Sequence, residues 1–142
     1  MIIPDTSLLV YAYNKNARHH QASKKWFEQL VISGEEIAIP WIVSLSFLRL
    51  MTHRSVLQNP MSSAQSYGIV ESWYEIENVR AIDAGPRSLR IMRGLVKEVS
   101  PSGNLFYDMY LASLALEFNA EVHSNDADFA RFPGLRWRNP IG

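Results

Sequence analysis

The sequence predicts an α/β protein, a three-layer α/β/α sandwich around a central, mostly parallel sheet of four to five strands. Two observations carry this. Short apolar runs alternate with longer helix-like stretches along the whole chain, without a repeat or low-complexity linker between them, and such alternation favours parallel strands covered by helices on both faces. The stretch Leu105 to Phe118 is apolar almost all round, so it should be a central helix.

Each element has its own signal. Ile2-Ile3 reads as a short buried strand ending at Pro4-Asp5, and Asp5 or Thr6 can cap a helix running to Tyr13. His20 to Val31 is helical, with Ala22, Trp26, Phe27 and Leu30 on one face, and Ser33-Gly34 stops it. Glu36 to Ile39 suits a second strand. Trp41 to His53 follows as a helix in which Ile42, Leu45, Leu48 and Met51 recur at near-helical spacing. Ser62 to Ile76 is a further helix, Val79 to Ile82 a third strand, and Pro86 to Val99 a helix closed by the loop Ser100 to Gly103. After the apolar helix come a fourth strand, Glu121 to Ser124, a short helical turn over Asp128 to Phe132, and a possible edge strand, Leu135 to Arg138.

Composition narrows the class of function. The 142 residues, 47% hydrophobic and 20% charged, fit one domain with an ordinary core. Fourteen basic residues balance fourteen acidic ones, so the molecule as a whole lacks the field of a nonspecific nucleic-acid binder. With no cysteine, disulfides and thiolate zinc sites are excluded. The apolar start is interrupted by Pro4 and Asp5 and lacks a basic leader, and no apolar run reaches the roughly 18 residues that span a bilayer. The expected location is the cytoplasm, with no membrane contact.

Four of the five aspartates, Asp5, Asp108, Asp126 and Asp128, follow or open segments expected to be buried. Unpaired carboxylates there cost several kcal/mol unless a raised pKa, a hydrogen-bond network or a cation compensates. Asp5 and Asp126 also suit helix N-caps, and Asp108 suits the dipole of a first helical turn. Caps, however, have no reason to gather at the carboxyl ends of strands, where ligands of parallel sheets bind. Aspartates without His or Cys partners suit Mg²⁺ or Mn²⁺, ions that serve phosphodiester chemistry.

The segments Ile3-Pro4-Asp5-Thr6-Ser7, Gly103-Asn104-Leu105-Phe106-Tyr107-Asp108 with Leu111-Ala112 and Ala115, and Ser124-Asn125-Asp126-Ala127-Asp128-Phe129 resemble the three acidic motifs of PIN-domain ribonucleases. Their order, their spacing and the ending Arg131-Phe132-Pro133-Gly134-Leu135 with Asn139-Pro140 resemble the VapC toxins of bacterial toxin-antitoxin pairs. The resemblance covers essentially residues 1–142 and implies a single PIN-like domain. It further implies a Mg²⁺- or Mn²⁺-dependent endoribonuclease acting on RNA, homodimerisation, and neutralisation by a VapB-type antitoxin, through which alone the chain would meet DNA. One position departs: where the family usually carries a Glu, this chain has Ser46, within Ser46-Phe47-Leu48-Arg49. A neutral hydroxyl supplies no charge to a metal.

On this reading Asp5, Asp108 and Asp126 are the candidate catalytic residues. Asp5 and Asp108 would hold the main metal ion, Asp126 would complete the pocket and orient the attacking water, and Asp128 would either join the ligands or cap the turn containing Phe129. Thr6, Ser44, Ser46, Ser124 and Asn125 are expected to fix the carboxylates by hydrogen bonds. Arg87, Arg90, Arg93 and Lys97 fall on one stripe of their helix, opposite Leu89, Ile91, Met92, Leu95, Val96 and Val99, and a stripe of one sign suits phosphates. Arg49, with His53 and Arg54, forms a second candidate RNA contact. His19, His20, His123 and the four tryptophans read as structural or interface residues.

Other readings place acids at strand ends too. A receiver domain wants an early acidic pair and a distal Lys, and no Lys follows Lys97. A phosphatase with an aspartate nucleophile wants a second Asp where Ser7 stands. A catalytically weak PIN-like protein that binds RNA or titrates antitoxin would rest on Ser46.

Overall fold

Every strand of the sheet is parallel to its neighbours. The computed structural model describes residues 1–142, with strands β1 (Ile2–Pro4), β2 (Ile37–Ala38), β3 (Val79–Arg80), β4 (Glu121–His123) and β5 (Arg136–Arg138) in the order β3-β2-β1-β4-β5. β1 pairs Ile2 with Ile37 on one side, and Ile2, Ile3 and Pro4 with Glu121, Val122 and His123 on the other. The chain therefore steps outward from β1 through β2 to β3, then crosses back to lay β4 on the other flank of β1. That reversal creates a switch point between β1 and β4, the place where parallel sheets leave a crevice at the strands' carboxyl ends.

Six helices cover the sheet: α1 (Thr6–Tyr13), α2 (His20–Ile32), α3 (Trp41–Met51), α4 (Ser63–Tyr74), α5 (Pro86–Val99) and α6 (Leu105–Phe118). α1 packs on α2 and α3, α3 packs on α4, and α5 packs on α6. Right-handed crossovers running in opposite directions put the two groups on opposite faces. The three-layer sandwich expected from the alternation is thus formed, and its sheet is wholly rather than mostly parallel. β5 is an edge strand, as expected for Leu135 to Arg138.

α6 packs on α5, on β4 and on the turn Ala127–Arg131, with Leu105, Met109 and the run Leu111 to Ala115 buried. Each large aliphatic side chain withdrawn from water there contributes about 1.5–3 kcal/mol. On the other layer, Phe47, Tyr13, Phe27 and Trp73 form an aromatic cluster, with the Phe47 and Trp73 rings 4.7 Å apart in an edge-on arrangement. The Trp73 indole donates to the Tyr13 hydroxyl at 3.0 Å, so its polar atom is satisfied inside the core.

Two helical faces differ from expectation. α3 buries Val43, Ser44, Phe47 and Met51, whereas Leu45 is 63% exposed and Ile42 and Leu48 are only half-buried. The polar Ser44 disguised the true inward face. Along α5, Leu95 is buried, but Leu89 and Val96 are exposed.

Candidate active site

Asp5 follows β1 directly and sits at the N-cap position of α1, yet it makes no capping hydrogen bond. Its carboxylate is 6% exposed and accepts a 2.6 Å bond from the Ser124 hydroxyl and a 3.3 Å bond from Ser7. The same Ser124 oxygen accepts from the Asp126 amide at 3.0 Å. One hydroxyl after β4 therefore holds the acid after β1 to the backbone of the third acidic motif. Ser124 is in turn fixed from β5, where the Trp137 indole donates to its carbonyl at 3.0 Å and its amide donates to the Arg138 carbonyl at 3.1 Å. Burial pushes the Asp5 pKa up, partly countered by Ser124, the Thr6 amide and Ser7.

Asp108 enters the same place from the first turn of α6, where the helix dipole favours an acid. It is 8% exposed. Burial first, then the charges of Asp5, Asp126 and Asp128, push its carboxyl up to about 7. Carboxylate oxygens of Asp108, Asp126 and Asp128 lie within 4.8 Å of one another. Asp126, not Asp128, caps the 3-10 turn Ala127–Arg131, accepting from the Asp128 amide at 2.9 Å. The Asp128 side chain is thereby free to turn toward Asp108.

A cleft of about 280 Å³ contains Asp5, Asp108 and Asp126, and its wall includes Thr6, Ser7, Ser46, Arg49, Asn104 and Tyr107. The donor set is all oxygen, and burial first, with repulsion from neighbouring carboxylates after it, raises the pKa of Asp5 and Asp108. A divalent cation relieves that repulsion, so the residues present fit Mg²⁺ or Mn²⁺. Tyr107 and Thr6 join hydroxyl to hydroxyl, tying the first turn of α6 to that of α1. Burial, then Asp5, drives the Tyr107 phenol well above its ordinary pKa.

Residues 2–135 match the family model described as the PIN domain. Ribonuclease VapC33 of Mycobacterium tuberculosis is 36% identical over 141 residues, 99% of each chain. Ribonuclease VapC37 of the same organism is 30% identical over 99% of this chain and 97% of its own. The chain belongs to the PIN-domain family of VapC ribonucleases. Its fold is also that of VapBC2 from Rickettsia felis, solved bound to a promoter DNA fragment, with a TM-score of 0.73 at 24% identity over 98% of each chain. VapC20 of M. tuberculosis, a toxin that cleaves the sarcin-ricin loop, gives a TM-score of 0.69 at 16% identity over 96% of this chain and 99% of its own.

Within this PIN domain most of the residues singled out from sequence meet at the cleft. Thr6 and Ser124 make the contacts described, Asn125 accepts from Ser7 at 3.3 Å, and Ser46 lines the wall. Ser44 does not belong with them. It is buried in α3 and hydrogen-bonded to the Tyr74 hydroxyl at 2.7 Å, which itself donates to the Ile39 carbonyl, because one step along a helix turns a side chain by about 100° and two steps from Ser46 face away. Arg49 lines the cleft, whereas Arg87, Arg90, Arg93 and Lys97 are exposed along α5 and do not. Tyr107, Ser7 and Asn104 were missed as cleft residues. Tyr107 carried a signal, since it precedes Asp108 and so flanks the acid at the head of α6.

His123 stays structural. Its Nδ1 accepts from the Trp26 indole at 3.0 Å while Nε2 faces Glu121 at 2.8 Å, and burial lowers its pKa. No helix is long and apolar enough to cross a membrane.

Proposed function

We propose that the chain is a Mg²⁺- or Mn²⁺-dependent endoribonuclease, the toxin of a VapBC-type pair, hydrolysing RNA phosphodiester bonds. One observation carries the reading: Asp5, Asp108 and Asp126, from three distant motifs, share one cleft at the switch point of the sheet. Asp5 and Asp108 would hold the cation, Asp126 would orient the attacking water, and Asp128 would add a further carboxylate from the rim. When bound, the ion neutralises these carboxylates and polarises a phosphate oxygen. Ser124, Ser7, Asn125 and the Tyr107–Thr6 pair keep the acids aimed, and Ser46 leaves the wall one charge short. A VapB-type antitoxin would neutralise the toxin and carry the pair to DNA, and the chain would work as a cytoplasmic homodimer. VapC33 and VapC37 support the activity, and VapBC2 supports the partner.

The test is total-RNA cleavage mapping with wild type, Asp5→Asn and Asp108→Asn, with and without Mg²⁺. Wild type should cut at discrete sites only with the ion, and both variants should fold and fail to cut. Cleavage retained by either folded variant would sink the assignment of that residue.

A further inference from the structure

A strand of RNA that places one phosphate in the acid cleft must leave it in some direction. A groove of about 370 Å³ between α3 and α4, lined by Leu48, Arg49, Thr52, Ser63, Ser66 and Tyr67, shares a residue with it. Arg49 is the shared residue. Three other clefts, on α1 and α2 and beside β4 and β5, have no lining residue in common with the acid cleft.

The chemistry at the junction suits an anion. Arg49 is the one cation of the acid cleft, and its guanidinium belongs to neither of the two ion pairs of the chain, Arg80 with Glu36 and His123 with Glu121. Three residues earlier on α3, where an acid would pair with it across one helical turn, stands neutral Ser46. The groove beyond contains no carboxylate. Its side chains are aliphatic, hydroxyl and aromatic, and Tyr67 is 56% exposed, an arrangement that takes a base by stacking without reading its edge.

We infer that the groove between α3 and α4 is a nucleotide subsite for single-stranded RNA, in which Arg49 binds the phosphate next to the acid cleft and Tyr67 stacks on the adjoining base. The inference rests on the ribonuclease reading for its substrate class. It assigns the direction in which the strand leaves the acids and makes base stacking a determinant of where cleavage falls.

Fluorescence anisotropy with a short, mixed-sequence single-stranded RNA in EDTA tests binding apart from cleavage. Tyr67→Ala should weaken binding about 5- to 100-fold and Tyr67→Phe should not, since the ring is kept. Arg49→Ala should lower the slope of log affinity against log salt by about 0.7, one phosphate's share on a single strand. Both side chains are exposed, so melting temperatures should match wild type. RNA binding by Tyr67→Ala equal to that of wild type overturns the subsite, as does a salt slope unmoved by Arg49→Ala. Wild type that shows the expected pattern but never cuts RNA in Mg²⁺ or Mn²⁺ overturns the ribonuclease reading and supports the subsite. Wild type that binds no RNA overturns both.

Discussion

Ser124 donates a 2.6 Å hydrogen bond to Asp5 across 119 positions of sequence, joining the carboxyl ends of two adjacent parallel strands. The bond lowers the pKa of an acid that burial raises. Ser124→Ala therefore leaves Asp5 buried without its shortest partner, and frees the Asp126 amide as well. Mn²⁺ affinity should fall by about 10- to 100-fold, in line with other residues that orient metal ligands. Stability should fall by about 1–3 kcal/mol. Isothermal calorimetry and urea unfolding measure the two effects, and an unchanged Mn²⁺ affinity would show that Ser124 does not position Asp5.

Asp108, with its carboxyl pushed up to about 7, makes both stability and metal binding depend on pH. Its pKa is higher in the folded chain than in the unfolded one. The favourable contribution is complete below about 4 and is lost as pH rises through about 7. In EDTA the protein should melt at a lower temperature at pH 8 than at pH 5.5 for this group's part. His123, whose pKa is lowered by burial, acts in the opposite sense as pH falls, so the comparison needs Asp108→Asn as its reference. The difference in melting temperature between that variant and wild type should grow with pH. Mn²⁺ should restore wild type most at pH 8, because below about 7 protons compete for the carboxylate. A difference that stays flat between pH 5.5 and pH 8 would contradict this.

The contrast between Ser124 and Ser44 shows what was legible before the fold. Asp5, Asp108 and Asp126 could be placed from sequence because each adjoins an apolar run whose type and direction fix which end of the sheet it reaches. Hydroxyls beside those runs were harder. Ser124 is one residue beyond β4 and shares the strand's direction, whereas Ser44 lies on a helix whose inward face was obscured by its own polarity. Tyr107 meets Thr6 only because α6 and α1 begin at the same edge, a relation that arises from strand order. The sheet order itself was beyond local patterns, since nothing in β5 alone says that it borders β4.

The α5 stripe makes a separate claim about RNA. Arg87, Arg90, Arg93 and Lys97 are exposed and in no ion pair, and α5 runs back toward the loop that opens α6. They lie outside the acid cleft, so they can hold distant phosphates but not the reacting one. Reversal of two charges, Arg90→Glu with Arg93→Glu, should weaken RNA binding and flatten its salt slope by at least about 1.4. The cleavage rate at saturating RNA should stay near that of wild type. A salt slope that does not move would make the stripe solvated surface alone.

Ser46 is where charge and substrate contact can be separated. Ser46→Glu adds a carboxylate to a wall that already holds Asp5, Asp108 and Asp126. Mn²⁺ affinity measured without RNA should rise about tenfold or more, as expected for an added hard ligand. The new acid also stands three residues before Arg49, within reach of a helical ion pair. A guanidinium held by Glu is less available to phosphate, so RNA affinity in EDTA should fall while Mn²⁺ affinity rises. Adding Arg49→Ala to Ser46→Glu should keep the gain in metal affinity and lower RNA affinity less than it does in the wild-type background. Unchanged Mn²⁺ affinity in Ser46→Glu would mean that this wall does not face the ion. Strictly additive losses of RNA affinity in the double variant would mean that Ser46 has no part in leaving Arg49 free.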